Sequence, residues 1–163
     1  TPAYARNTLG KHDRRFRAFK ERTRQLFDLP MLKNVFPLGT ILRNVIIEVS
    51  GDLSFGRQMG SYPILAGIPV ILPARTVVDA VVVDWGMRSV TALPVTVMIN
   101  TLPASALWWL PGIGKKKVAA VIAKRPFADL TAYRKVAGES AVDHNLVFLV
   151  SGPPITDAAP PSP

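Results

Sequence analysis

Apolar residues recur along this chain with more than one period, and each period predicts a different kind of element. Between residues 11 and 27, Phe16, Phe19, Thr23 and Leu26 (with Phe27) fall at i, i+3, i+7 and i+10, one stripe of a helix. Leu29-Pro30 ends it, and Pro30 suits the first turn of a second short helix over residues 31–36, closed by Pro37. From residue 40 the pattern becomes β. Segments 41–49, 54–58, 64–72, 77–84 and 89–99 are rich in Val, Ile and Thr, with turn signals at Gly51-Asp52 and Asp84-Trp85-Gly86-Met87. Five short strands this close together predict a small, mostly antiparallel barrel or a strongly curled sheet. Pro63, Pro69, Pro73 and Pro94 cannot donate to a ladder and mark edges or bulges. Helical spacing returns after residue 100: a helix over 103–109 capped by Thr101 or Asn100, one over 115–124, and one over 130–136 capped by Asp129. A last strand at 146–150 is expected to rejoin the sheet. Residues 151–163, with five prolines, are expected to be disordered.

Charge sharpens this picture because it is segregated. Residues 1–27 carry eight basic and two acidic side chains, and residues 111–135 carry seven basic and one acidic. The stretch between them is balanced, so nearly all of the net +9 sits in two segments. Such a balance concerns partners rather than fold, and favours nucleic acid or another anionic surface. Arg14, Arg15, Arg17, Lys20, Arg22 and Arg24 fall mostly off the apolar stripe of the first helix. That helix is either a solvated basic face or a phosphate-facing arm, and the second reading is favoured because only two acids interrupt the run.

Several chemistries are excluded by composition. With no cysteine there is no disulfide, zinc thiolate, cysteine nucleophile or cysteine-held iron–sulfur cluster. His12 and His144 stand near no cluster of carboxylates that would complete a zinc site, and His144 reads as structural. No apolar run reaches the ~18 residues of a spanning helix. The basic N-terminus lacks the apolar core of a signal peptide, so a cytoplasmic protein with no membrane partner is expected. The chain begins at Thr1, which fits a processed protein or a segment of a longer one.

One motif carries specific chemistry. Leu110-Pro111-Gly112-Ile113-Gly114-Lys115-Lys116-Lys117-Val118-Ala119 resembles the helix-hairpin-helix signature: hydrophobic-Pro-Gly-hydrophobic-Gly, then basic residues and a small one. Gly112 and Gly114 permit a tight turn and hold no Cβ against a ligand. The amides after the turn are the unpaired first N–H groups of the next helix, at the end of its dipole that attracts anions. Lys115, Lys116 and Lys117, with Lys124 and Arg125 one helix further on, supply charge. The resemblance implies that the amides of Gly112, Gly114 and Lys116 take phosphate oxygens. It also implies, for some members, a monovalent cation on carbonyls at the positions of Trp108, Leu110 and Ile113. The alternative is a plain helical corner with solvated lysines.

The wider resemblance runs from about residue 4 to residue 150. Phe27-Asp28-Leu29-Pro30-Met31-Leu32, Phe36-Pro37-Leu38-Gly39-Thr40, Phe55-Gly56-Arg57-Gln58-Met59-Gly60-Ser61-Tyr62-Pro63, residues 81–89 and the hairpin itself are similar to the C-terminal region of archaeal radical SAM proteins that end in a helix-hairpin-helix. Members of that family carry an upstream three-cysteine barrel that holds an iron–sulfur cluster and SAM. This chain has no cysteine, so radical chemistry does not carry over. Arg57, Gln58 and Tyr62 are base- or phosphate-contacting types, yet Arg57 equally suits an ion pair with Asp52 or Asp84, and Gly56 and Gly60 equally suit bulges. Trp85 and Arg88 at a hairpin tip are candidates for stacking on a base or for packing on a neighbouring loop. Trp108 and Trp109 read as core.

Together these features predict an α+β chain: a basic helical arm (1–37), a small β-barrel (38–99), a helix-hairpin-helix domain with a closing strand (100–150) and a proline-rich tail (151–163). The expected function is a non-catalytic nucleic-acid-binding module that docks on structured RNA, tRNA or rRNA, through backbone phosphates. The competing readings are a non-specific duplex-DNA binder, the accessory region of a radical SAM RNA-modifying enzyme, with that enzyme's catalytic domain as partner, and a structural subunit associated with the ribosome. No cofactor is expected beyond a monovalent cation at the hairpin.

Overall fold

The computed structural model describes residues 9–60, 63–140 and 143–150. The expectations for Tyr62, for residues 1–8 and for the tail 151–163 lie outside the described residues, as do those for the side chains of His12 and His144.

The N-terminal arm is one helical run rather than two helices. Helix α1 (Leu9–Thr23) passes into a π-turn at Arg24–Asp28 and then into α2 (Leu29–Val35). Proline explains the wide turn. Pro30 brings no N–H, and its ring would collide with the carbonyl four residues back, so widening the helix before it continues the chain where a break is expected.

Strands β1 (Ile41–Val49), β2 (Ser54–Gln58), β3 (Leu65–Ile68), β4 (Val77–Trp85) and β5 (Ser89–Pro94) close into a barrel in the order β1-β2-β3-β5-β4. Four pairings are antiparallel and the β3–β5 pairing is parallel. A five-stranded barrel with these connections has the strand order of the OB-fold. The expected third strand is shortened at its C-terminal end by Pro69, and the expected fifth is divided at Val95. Beyond Pro94, β6 (Thr96–Met98) leaves the barrel and pairs in parallel with β7 (Val147–Leu149) in a separate two-stranded sheet. The last strand therefore does not rejoin the barrel sheet, as the sequence pattern suggested.

Strand β4 is the wall between two cores. Ala80 and Val82 face the barrel interior with Leu42, Val45, Ile47, Ala66, Ile68, Val90 and Ala92. Val81 and Val83 face the other way and join Leu93, Val97, Ile99 and the C-terminal helices. With both faces covered, the alternation is lost and Ala80-Val81-Val82-Val83 reads as one apolar run. Leu32 of α2 is buried with the barrel core, and α2 is pinned there by Trp85, whose indole N–H donates to the Phe36 carbonyl at 2.7 Å.

Close backbone approach fixes one glycine. A Cβ at Gly56 would lie 2.5 Å from the Ile46 carbonyl oxygen and 2.9 Å from Val45 Cγ1, so β1 and β2 meet here only because the residue is glycine. On the far side of β1 a bulge holds Asn44 at φ 53°, where its N–H donates to Asp79 at 2.8 Å and Arg43 donates to the same carboxylate at 2.6 Å. The Asn44 amide and then Arg43 hold the Asp79 carboxyl below its usual range.

Three short helices complete the chain: α3 (Ala104–Leu107), α4 (Lys115–Ala123) and α5 (Leu130–Ala137). Asp129 caps α5 as expected, its carboxylate accepting from Ala132 N–H at 2.7 Å. The caps expected for α3 are absent, and Pro103 stands at that position. Asn100 is drawn elsewhere: its amide donates to the carbonyls of Phe127 and Val150 and accepts from Phe127 N–H. No helix among the described residues is long and apolar enough to cross a membrane.

Candidate nucleic-acid interface

The turn between α3 and α4 is built by two glycines with different jobs. Gly112 has φ +82°, a backbone conformation that side chains rarely adopt, so the fold itself requires glycine there. Gly114 has φ −87° and ψ 175°, ordinary extended backbone, and a Cβ placed on it would meet nothing within 4 Å. The fold makes no demand for glycine at this position.

Gly114 is also the N-cap of α4, and no side chain caps it. Its carbonyl accepts from Val118 N–H at 3.1 Å, the first bond of the helix, which leaves the amides of the first turn without intrahelical partners. Acidic residues normally stabilise such an end, but α4 has none in its first turn and opens on Lys115, Lys116 and Lys117. Chemically, the arrangement presents backbone N–H donors and exposed positive charge to an anion, with a bare glycine beside them.

The three lysines are not equivalent. Lys117 turns back, and its ammonium donates to the carbonyls of Gly112 at 3.1 Å and Ala137 at 3.0 Å. It therefore ties the turn to the C-terminal end of α5, where a cation suits the dipole, and is not a free charge at the surface. Lys115 and Lys116 are exposed, and so is Lys124. Arg125 is half-buried, and its Nε and Nη2 are buried without hydrogen-bond partners, which withdraws it from the expected phosphate-facing set. Burial also lowers its pKa. Of the carbonyls expected to hold a cation, that of Leu110 already accepts from Ile113 N–H at 3.0 Å.

Other expected contact residues lie apart from this turn. Arg57 pairs with Glu48 across β1 and β2, not with Asp52 or Asp84, and Gln58 donates to the Arg43 carbonyl at 2.8 Å. Trp85 is committed to α2, with the Lys33 ammonium 5.1 Å from its ring centre, so the packing reading of the β4–β5 turn holds. Arg88 is exposed and 3.9 Å from Asp28. Arg14 and Arg15 are exposed on α1, and Arg17 pairs with Asp13. The apolar stripe of the arm is uncovered among the described residues, with Phe16, Phe19, Leu26, Phe27 and Met31 all exposed.

One aromatic residue is placed contrary to expectation. Trp109 packs against the C-terminal core, but Trp108 is 49% exposed. It lines a groove of about 570 Å³ with Val83, Asp84, Leu110, Ile113 and the two turn glycines. Successive helical residues point about 100° apart, and at the end of α3 the core takes Ala106, Leu107 and Trp109 and leaves Trp108 outside.

The fold and this turn define a small mixed α+β protein: a closed five-stranded barrel carrying a helical extension with an uncapped, lysine-rich turn. No family model and no solved structure matches the chain. Two archaeal proteins are similar to it, each described only as an uncharacterized protein. One, from Archaeoglobus fulgidus, is 37% identical over 145 residues, which is 88% of this chain but 26% of the relative. The other, from Methanocaldococcus jannaschii, is 51% identical over 84 residues, 50% of this chain and 16% of the relative. The chain thus spans about a quarter or less of the length of these relatives.

Proposed function

We propose that this chain is a non-catalytic nucleic-acid-binding module that grips backbone phosphates of structured RNA at the turn between α3 and α4, used as a helix-hairpin-helix. Gly114 carries the reading. Neither packing nor φ requires a glycine there, whereas the missing side chain leaves room for a phosphate oxygen to approach the amides of α4. Lys115, Lys116 and Lys124 add exposed charge around it, and Arg14 and Arg15 add more on the arm. An OB-type barrel beside the turn supports a nucleic-acid ligand by analogy of fold. A monovalent cation would sit on the carbonyls of Trp108, Leu110 and Ile113.

The match of most of this chain to a quarter of a longer relative favours one refinement. The module then serves as the substrate-binding region of a larger protein, of which a radical SAM RNA-modifying enzyme is the example its sequence resembles. The test is a competition titration by fluorescence anisotropy with tRNA, rRNA stem-loops and duplex DNA, repeated from 50 to 200 mM salt. If six or more phosphates are neutralised, affinity falls by about 10³-fold over that range. RNA stem-loops compete best on this reading. A flat salt response overturns phosphate gripping, and a clear preference for duplex DNA overturns the choice of RNA.

A further inference from the structure

We infer that the groove between the end of β4 and the α3–α4 turn is a site for one unpaired guanine, stacked on Trp108 with its Watson–Crick edge on Asp84. The inference rests on the phosphate-gripping reading and extends it from backbone to base.

The groove is made by a bulge. Side chains alternate along β4, so Val83, which packs on the C-terminal helices, should leave Asp84 facing the barrel interior. The β4–β5 register shifts between Val82 and Asp84, and both Val83 and Asp84 line the groove. A bulge re-aims a side chain in this way, and on this inference it brings the Asp84 carboxylate to the helical side of the wall. The floor is apolar, formed by the buried Val83, Leu110 and Ile113, and the exposed Trp108 indole flanks it. At about 570 Å³ the space falls within the range of about 300–1,000 Å³ common to ligand sites.

The chemistry selects the occupant. A carboxylate repels phosphate, so the groove does not simply extend the anion site at Gly114. It accepts N–H donors instead, and guanine is the base whose Watson–Crick edge offers two adjacent donors, N1–H and N2–H, to a bidentate acceptor. An exposed indole supplies the stacking face on which an extruded base is held. Gly112 and Gly114 lie on the same groove, so a nucleotide whose phosphate sits on the α4 amides has its base within reach of Trp108. The ligand is therefore a bulge, loop or junction rather than an unbroken duplex.

The experiment compares an RNA stem carrying a single bulged nucleotide with the same stem fully paired, by anisotropy at one salt concentration. The full chain is used as parent and as the variants Trp108→Ala, Trp108→Phe and Asp84→Asn, each checked by its melting curve. The bulged-guanine stem is expected to bind about tenfold tighter than the paired stem, the effect of one base–aromatic stack. Inosine or adenine in the bulge is expected to lose about fivefold. Trp108→Ala weakens the bulged stem more than the paired stem and so removes the preference for the bulge, and Trp108→Phe retains it. Asp84→Asn removes the preference for guanine. Equal binding of bulged and paired stems overturns the base site and leaves phosphate gripping intact. Equal weakening of both stems by Trp108→Ala also overturns it, because the indole then only supports the turn. No binding to either stem overturns the phosphate reading itself.

Discussion

The Lys117 ammonium lies 3.0 Å from the carbonyl oxygen of Ala137 and 3.1 Å from that of Gly112, joining the turn before α4 to the last residue of α5. Its neighbours Lys115 and Lys116 make no such bridge among the described residues. The three positions therefore separate stability from binding. Lys117→Ala is expected to lower stability by about 1–2 kcal/mol, since two hydrogen bonds to a charged donor are lost at a partly exposed site. Lys115→Ala and Lys116→Ala are expected to leave the melting temperature nearly unchanged and to weaken RNA binding instead. Urea unfolding and anisotropy on the same three variants check both halves.

Glycine substitutions should divide in the same way. Gly114→Val is expected to fold normally, because its Cβ points into open space at an ordinary φ, and to weaken RNA binding more than Lys115→Ala does. One lysine among several is worth about 1 kcal/mol or less in screened surroundings, whereas access to the helix amides has no substitute. Gly112→Ala, at φ +82°, costs about 1 kcal/mol of stability or more. Gly56→Ala drives a Cβ into the Ile46 carbonyl and is expected to be the most damaging to the barrel. Circular dichroism melts rank the three. A Gly114→Val variant that is folded and binds RNA like the parent removes the phosphate cradle.

Ser54 is the fully buried polar residue of the described barrel. Its hydroxyl lies 2.8 Å from the Val70 carbonyl, to which it donates, and it accepts from Leu72 N–H at 3.0 Å. This one side chain closes the loop after β3 onto the start of β2. Ser54→Ala leaves a carbonyl and an N–H unpaired and is expected to destabilise by about 1–3 kcal/mol in urea unfolding. Hydrogen exchange at Leu72 should rise first.

Alkaline pH probes the C-terminal core. Burial pushes the Tyr133 hydroxyl up to about 12, with the charge of Asp143 adding to the effect and that of Arg125 opposing it. An unfolded tyrosine gives up its proton near pH 10, so between those values the folded chain holds a proton that the unfolded chain has lost. The stabilisation is complete below pH 10 and is lost as pH rises through about 12. The tyrosinate absorbance of Tyr133 should appear only in that upper range. Tyr133→Phe should make stability fall less steeply above pH 10.

Much of the architecture is legible in the sequence because local periodicity records which faces avoid water. The five barrel strands, the α4 and α5 helices and the Asp129 cap all stand where β-branched runs, helical spacing and a capping side chain place them. The requirement for glycine at Gly112 follows equally from the turn motif. What depends on distant partners is not legible. Both sides of β4 are apolar because the barrel covers Val82 and the helices cover Val83, and neither cover is written nearby. The closing strand pairs with β6 because the chain leaves the barrel at Val95. Pro30 widens a helix instead of ending it, since α2 has the barrel core to pack Leu32 against. Asn100 abandons α3 for two carbonyls that approach from residues 127 and 150. Three consecutive lysines look alike in sequence, and only the position of α5 decides that Lys117 meets a carbonyl while Lys115 and Lys116 face solvent. The same reason applies to Trp108, which the C-terminal core leaves exposed after it has taken Trp109, and to Asp84, which lines the groove where the register against β5 shifts by one residue.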